Sequence, residues 1–194
     1  MIAQTIKMYS EKEYLELERE AEYKSEYYQG EIFAMAGAGY DHNRIKENLS
    51  IEIGSFLKGK SCKTFSSDMR LHIPEVGLYT YPDFLIMCGK ADVSQFDEET
   101  FMNPSVVAEV LSKSTSAFDK GKKFRFYERV PTLKEYMIVD SLSIAAEVWA
   151  KNENGLWFLN SRGLRLEEEI TLQSINLQLR LSDIYADTRY LVKQ

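Results

Sequence analysis

Two spacing rhythms of apolar residues run along the chain and predict its elements. Steps of three and four residues mark helices. Ile45, Leu49, Ile53, Phe56 and Leu57 recur in this way after Tyr40-Asp41-His42, which predicts a helix with one buried face that stops near Gly59. Ser10-Glu11-Lys12-Glu13 has capping-box spacing, a serine with a glutamate three residues later, ahead of the helix-forming run from Tyr14 to Arg19. A third helix is predicted from about Phe118 to Arg129. The polar loop Lys113-Ser114-Thr115-Ser116 leads into it, and Pro131 ends it, because a residue before proline avoids helical geometry.

Runs of β-branched and aromatic residues predict the strands. Those flanking Gln29-Gly30 read as a short hairpin, with Gly37 and Gly39 in the loop after it. Residues 62–73 and 78–88 are predicted to be extended, with a turn at Pro74-Glu75-Val76-Gly77, and the acidic stretch 92–100 to be an exposed loop. Residues 105–111 and 135–140 are near-continuous apolar runs of the kind buried on both faces. A second hairpin is predicted for 145–160 around Asn152-Glu153-Asn154-Gly155; 163–181 reads as extended and the segment from Ser182 as helical. From 41 to 140 the order is helix, strand, strand, strand, helix, strand. The expected fold class is α/β in the α+β sense. It is a mixed sheet flanked by helices, with an N-terminal helix and hairpin and a C-terminal β-rich extension. No repeat or linker interrupts the chain, so residues 1–194 read as a single domain.

Composition narrows the class. With 44% hydrophobic and 28% charged residues the chain is an ordinary globular mixture, and wholesale disorder is excluded. No apolar run approaches the ~20 residues of a membrane helix, and residues 1–7 lack an apolar stretch of signal-peptide length. Two cysteines, Cys62 and Cys88, without a CxxC pattern, argue against a disulfide scaffold and a cysteine zinc site, so the expected location is cytoplasmic. The net charge of −6 speaks against bulk electrostatic coating of nucleic acid. The charge is uneven, however. Between Lys113 and Lys134, seven cations face only Asp119 and Glu128.

Two carboxylates stand in apolar surroundings. Glu109 interrupts Val106-Val107-Ala108 and Val110-Leu111, and Asp83 follows Pro82 and leads into Phe84-Leu85-Ile86-Met87. A buried carboxylate has to be protonated, paired or bound to a cation. Two of them near the ends of adjacent strands would suit magnesium; pairing of each with a nearby Lys or Arg is the plainer alternative. On a helical wheel Lys122, Arg125 and Arg129 share one side, while Lys120, Lys123, Phe124, Tyr127 and Val130 share the other, which faces the sheet. An inward lysine beside two carboxylates is what phosphodiester hydrolysis requires. The bland alternative is a lysine stem that snorkels.

The ordered set Ser25-Glu26-Tyr27-Tyr28-Gln29-Gly30-Glu31, His42 opening a helix, Tyr81-Pro82-Asp83, 107–115, 119–127 and 135–140 resembles the Uma-two family of restriction-endonuclease-like proteins, a branch of the PD-(D/E)XK nuclease superfamily. The resemblance implies a restriction-endonuclease-like core in which Asp83, Glu109 and the Val110 carbonyl hold Mg2+ (or Mn2+). It also places Leu111 where the superfamily's basic pattern has a lysine, and it points to Lys123 on the following helix as the replacement, with Lys120 as the fallback. It suggests Glu31 as a further acid at the metal; Glu26 is placed to do the same, and a solvated hairpin charge is the alternative for either. His42, on the buried face of its helix, binds a phosphate oxygen, carries a proton, orients a carboxylate or is simply a core histidine. His72 has no match in the family and reads as a strand residue.

The expected function is metal-dependent endonucleolytic hydrolysis of nucleic acid, most readily DNA. Asp83, Glu109, Lys123, Glu31 and His42 are the catalytic candidates, and Lys113, Lys120, Lys122 and Arg125 the phosphate contacts. The competing expectation is an inactive nuclease-fold protein that binds nucleic acid or serves assembly. A homodimer, with the 145–160 hairpin pairing across a two-fold axis, is a further expectation.

Overall fold

The computed structural model describes residues 7–113 and 116–191, so Ser114 and Thr115 of the polar loop, and residues 1–6, lie outside the described residues. Helix α1 (Glu11–Glu20) opens on the expected capping box: Ser10 Oγ accepts the Glu13 N–H at 3.2 Å and the Glu13 carboxylate accepts the Ser10 N–H at 2.8 Å. The first hairpin pairs β1 (Ser25–Tyr28) with β2 (Glu31–Ala34). Its turn needs positive φ at both central residues, and Gln29 (47°) and Gly30 (97°) supply it. Helix α2 (Tyr40–Leu57) buries Ile45, Leu49, Ile53 and Leu57. Each such side chain contributes about 1.5–3 kcal/mol.

Beyond α2 the chain alternates between two six-stranded sheets. The central sheet has the order β12-β11-β10-β9-β6-β3. It is built from β3 (Cys62–Ser66), β6 (Phe84–Cys88), β9 (Val106–Leu111), β10 (Glu135–Asp140), β11 (Ala146–Lys151) and β12 (Trp157–Gly163). The other sheet joins the first hairpin to β5 (Leu78–Thr80), β4 (Arg70–Ile73), β8 (Asp97–Phe101) and β7 (Val93–Ser94). Each predicted extended stretch therefore divides between two sheets, 62–73 at residues 67–69 and 78–88 at Tyr81-Pro82-Asp83. The first break carries a turn and the second a proline, which cannot donate to a ladder.

The helical crossover between the parallel strands β9 and β10 consists of α3 (Ser116–Phe118), a π turn (Asp119–Lys123) and α4 (Phe124–Tyr127). The expected order of helix, three strands, helix and strand is thus present, as α2, β3, β6, β9, this crossover and β10, and the fold is mixed α+β.

Burial follows the alternation along the strands. Phe84, Ile86, Val106, Ala108 and Val110 pack with α2 on one face of the central sheet. Leu85, Met87, Val107 and Leu111 pack on the other face with Leu71, Leu78 and Phe101 of the second sheet and with Phe126 and Tyr127 of the crossover. With both faces covered, β9 is apolar throughout except for Glu109. The C-terminal extension, β13 (Glu169–Leu172), β14 (Leu177–Arg180) and α5 (Leu181–Ile184), closes the α2 side. Asn160 and Ser161 of β12 bond to Thr171 of β13, so this extension already engages part of the hairpin that the dimer expectation invoked.

Three expectations are corrected. The 92–100 segment is not an exposed loop, because it forms β7 and begins β8; Arg70, fully buried, draws Asp97 inside to an ion pair supported by Thr100. The cysteines are not free but are linked to each other, because antiparallel pairing sets Cys62 of β3 directly opposite Cys88 of β6. Lys120 does not share the inner arc with Lys123. It is exposed while Asp119 is buried, because a π turn advances less per residue than the 100° of an α-helix.

Candidate active site

The site forms where strand pairing runs out. β6 pairs with β9 only as far as Phe84 opposite Ala108, so Val110 lies past the end of β6. Asp83, just before β6, occupies the gap, and its Oδ2 accepts the Val110 N–H at 2.9 Å. The N–H and C=O of a strand residue point to the same side, so the Val110 carbonyl is turned toward Asp83 too. His42, in the first turn of α2, brings Nε2 to 3.3 Å from the same Asp83 oxygen. Its buried Nδ1 has no hydrogen-bond partner among the described residues.

Alternation along β9 sends Glu109 to the face covered by the crossover helix. There its Oε1 lies 2.8 Å from Lys123 Nζ and accepts the Tyr127 hydroxyl at 2.5 Å, while Oε2 lies 3.4 Å from the Asp83 N–H. Glu109 is 3% exposed and Lys123 6%. The ammonium also meets Glu26 Oε1 at 3.3 Å and Asp119 Oδ1 at 3.9 Å, and Glu26 is held in turn by the Thr80 hydroxyl.

One buried cation thus serves three carboxylates. Burial alone would discharge Lys123, but Glu109, Glu26 and Asp119 outweigh it and hold the amine protonated at any ordinary pH. Burial pushes Glu109 up to about 8 despite its lysine, and Asp83 and Asp119 add to the rise. Lys123 stays charged because two further acids hold it, and Glu109, the most deeply placed, is the group that takes up a proton. Burial also acts upward on Asp83, but His42, the Val110 N–H and Lys123 together hold its carboxyl below the usual range.

Asp83, Glu109, Val110, Lys123 and His42 all border one cavity of about 380 Å3. Glu31 does not line it. It sits at the turn end of the hairpin, opposite Tyr28, whereas Glu26, opposite Phe33, reaches the lysine. Lys113, Lys120, Lys122 and Arg125 are exposed outside the cavity, and Lys122 lies over the Tyr28 ring at 4.5 Å. His72 is a strand residue stacked on Tyr79 at 3.9 Å. The residues that the sequence reading left without a role are Asp119 and Tyr127. The i,i+4 spacing of Asp119 and Lys123, and the place of Tyr127 on the inner arc, were the available signals.

Residues 11–182 match the Uma2 family, described as "Putative restriction endonuclease". The chain belongs to the Uma2 (Uma-two) family. Two uncharacterized proteins of Synechocystis sp. are similar to it. One is 37% identical over 176 residues, covering 90% of this chain and 99% of the relative, and the other 35% identical over 176 residues, covering 91% and 90%. A crystal structure from Anabaena variabilis, described as a putative nuclease belonging to DUF820, shares the fold with a TM-score of 0.71 at 19% identity, over 89% of this chain and 95% of that one. The Uma2 match spans every residue placed at the cavity. Among the described residues, no helix is long and apolar enough to cross a membrane.

Proposed function

We propose that this Uma2 chain hydrolyses phosphodiester bonds of nucleic acid, DNA in the first instance, with a divalent cation. The observation that carries the proposal is the convergence of Asp83, Glu109 and Lys123 at the floor of one cavity. The donor set fits Mg2+ or Mn2+, which favour one or two carboxylates, with waters and substrate phosphate completing the shell. Among the described residues no group of three or more His, Cys, Asp or Glu side chains is arranged to hold a metal. The ligands we propose are two carboxylates that border the cavity, Asp83 and Glu109, with the Val110 carbonyl. The negative charge of Asp83 and Asp119, which adds to the burial that raises Glu109, is the kind a cation relieves. When bound, the cation supplies polarisation of the phosphate and acidification of water.

The protein's own groups do the rest. Lys123 is an ammonium, so it does not abstract the proton. It donates hydrogen bonds to the attacking water or to a phosphate oxygen as charge develops there. Tyr127 fixes the Glu109 carboxylate, and His42 fixes Asp83. The exposed Lys113, Lys120, Lys122 and Arg125 hold flanking phosphates without reading sequence.

The test is incubation of supercoiled plasmid and circular single-stranded DNA with Mg2+ or Mn2+, read on gels. Wild type should cut, and Asp83→Ala, Glu109→Ala and Lys123→Ala should not. Equal cutting by the three variants overturns the assignment. Binding without any cutting would favour the inactive binding module instead.

A further inference from the structure

The reacting groups lie at the bottom of a recess whose one wall carries no charge. Residues 32–39 read Ile-Phe-Ala-Met-Ala-Gly-Ala-Gly, and residues 33–38 line the cavity while staying exposed to solvent. The β1–β2 register sets Phe33 opposite Glu26, so its ring stands on the same face as the carboxylate that meets Lys123. Phe118, from the crossover helix, lines the cavity as well. Phe33 is 47% exposed, Met35 39% and Phe118 39%, in a chain whose other aromatic rings mostly pack inside. Beside them Lys46 lines the cavity and donates to the Ser67 hydroxyl at 3.1 Å; Asp68, near enough to feel its charge, is ion-paired with Lys24.

We propose that this wall stacks an unpaired nucleobase, with Phe33 and Phe118 as the platforms and Lys46 on the adjoining phosphate, so that the site selects single-stranded or locally unpaired nucleic acid over continuous duplex. The proposal rests on the nuclease reading above and names its substrate class. Three physical points converge on it. A volume of about 380 Å3 falls at the low end of ligand pockets, roughly 300–1,000 Å3, and suits one nucleotide unit. Duplex phosphates sit on a stiff rod, whereas a single strand bends to bring a phosphate into a recess and splays its bases against the wall. Exposed aromatic faces combined with cations are how proteins grip single strands without reading sequence, because every base has a stacking face.

The experiment measures binding by fluorescence anisotropy with labelled DNA, using a 30-nucleotide strand, its blunt duplex, and the duplex with an internal bulge. Ca2+ replaces Mg2+ so that binding is read without turnover, and gels confirm intact DNA. The single strand and the bulged duplex should bind at least about tenfold tighter than the blunt duplex. Phe33→Ala and Phe118→Ala should each weaken single-strand binding by about 5- to 150-fold, the range expected for one lost stacking partner. Phe33→Trp should keep it. Both rings are partly exposed, so thermal melts of the variants should match wild type.

Equal affinity for strand and duplex, or unchanged binding by both alanine variants, overturns the proposal. A dimer in sedimentation that Phe33→Ala dissolves would assign the wall to a second copy of the chain and overturns it too. Absence of cleavage by wild type would defeat the nuclease reading while leaving this binding preference measurable.

Discussion

Replacing Glu109 by Gln isolates the most perturbed group of the centre. The glutamine keeps the shape and an oxygen acceptor for Lys123 and Tyr127, but it does not ionise. In wild type the carboxyl rises from an ordinary 4.5 to about 8. Below pH 4.5 it is protonated in both folded and unfolded chains and makes no difference. Between 4.5 and about 8 the unfolded chain releases the proton and the folded one keeps it, so stability falls as pH rises. Above about 8 the loss is complete. At about 1.4 kcal/mol per pH unit it amounts to on the order of 4–5 kcal/mol. For a chain of this length each kcal/mol moves Tm by roughly 2–4 °C, so Glu109→Gln should melt roughly 8–20 °C above wild type near pH 9 and close to it near pH 5.

Calorimetric scans in EDTA at one-unit steps from about pH 5 to about pH 9 read this directly, since every other titrating group is common to both proteins. Mn2+ at a hundredfold excess over its Kd should then return about 2.7 kcal/mol to wild type and far less to the variant. Parallel pH profiles would refute the electrostatic account of Glu109. Equal stabilisation by Mn2+ would refute its place as a ligand.

Lys123→Met removes the cation shared by Glu109, Glu26 and Asp119. It should cost about 3–5 kcal/mol by urea titration at pH 8, with recovery toward pH 5 as Glu109 protonates, and it should abolish cleavage. Asp97→Ala strands the buried Arg70 and should cost a similar amount, about 3–5 kcal/mol, while cleavage per folded molecule is unchanged, because the pair lies outside the cavity. Reducing the Cys62–Cys88 link opens a 26-residue separation and should cost about 3.5 kcal/mol by the loop-closure model, seen as a Tm drop of roughly 7–14 °C with dithiothreitol.

Local signals made most elements legible in the sequence. The capping box at Ser10, the Gln29-Gly30 turn and the three-four spacing of Ile45, Leu49 and Ile53 act over a few residues and survive in the structure. Glu109 stood out because its neighbours predict burial on both faces, and burial of a carboxylate demands an explanation. What stayed hidden depends on contacts distant along the chain. Asp97 looked like loop charge because its partner Arg70 lies 27 residues away in sequence. The second sheet was invisible because residues 62–73 and 78–88 each read as one extended run, although a turn and a proline divide them between layers. Glu31 and Glu26 differ by their position along a hairpin whose relation to the crossover helix no local pattern reports. The π turn defeated a wheel drawn at 100° only at its first residues, moving Asp119 inward and Lys120 outward; Lys123, at its end, stayed on the inner face.

The same charge count bears on substrate entry. Glu26, Glu109 and Asp119 meet one ammonium and Asp83 lies beside Glu109, so even with Glu109 protonated the apo centre is negative inside a chain already at −6. Two unit charges 4 Å apart interact by about 4 kcal/mol at an effective dielectric of 20. A phosphate placed against this surplus is therefore repelled by several kcal/mol unless a divalent cation is present, even though Lys120, Lys122 and Arg125 attract it from the outer side of the same helix. Affinity for a single strand should consequently rise at least about tenfold when Ca2+ replaces EDTA at matched ionic strength, and Asp83→Asn should remove most of that rise. With Glu109 drawn to about 8, the rise should also grow with pH through that value, because the cation competes with a proton for the carboxylate. Equal binding in Ca2+ and EDTA would mean that the phosphate never approaches these four acids, and the catalytic role assigned to them would fall with it.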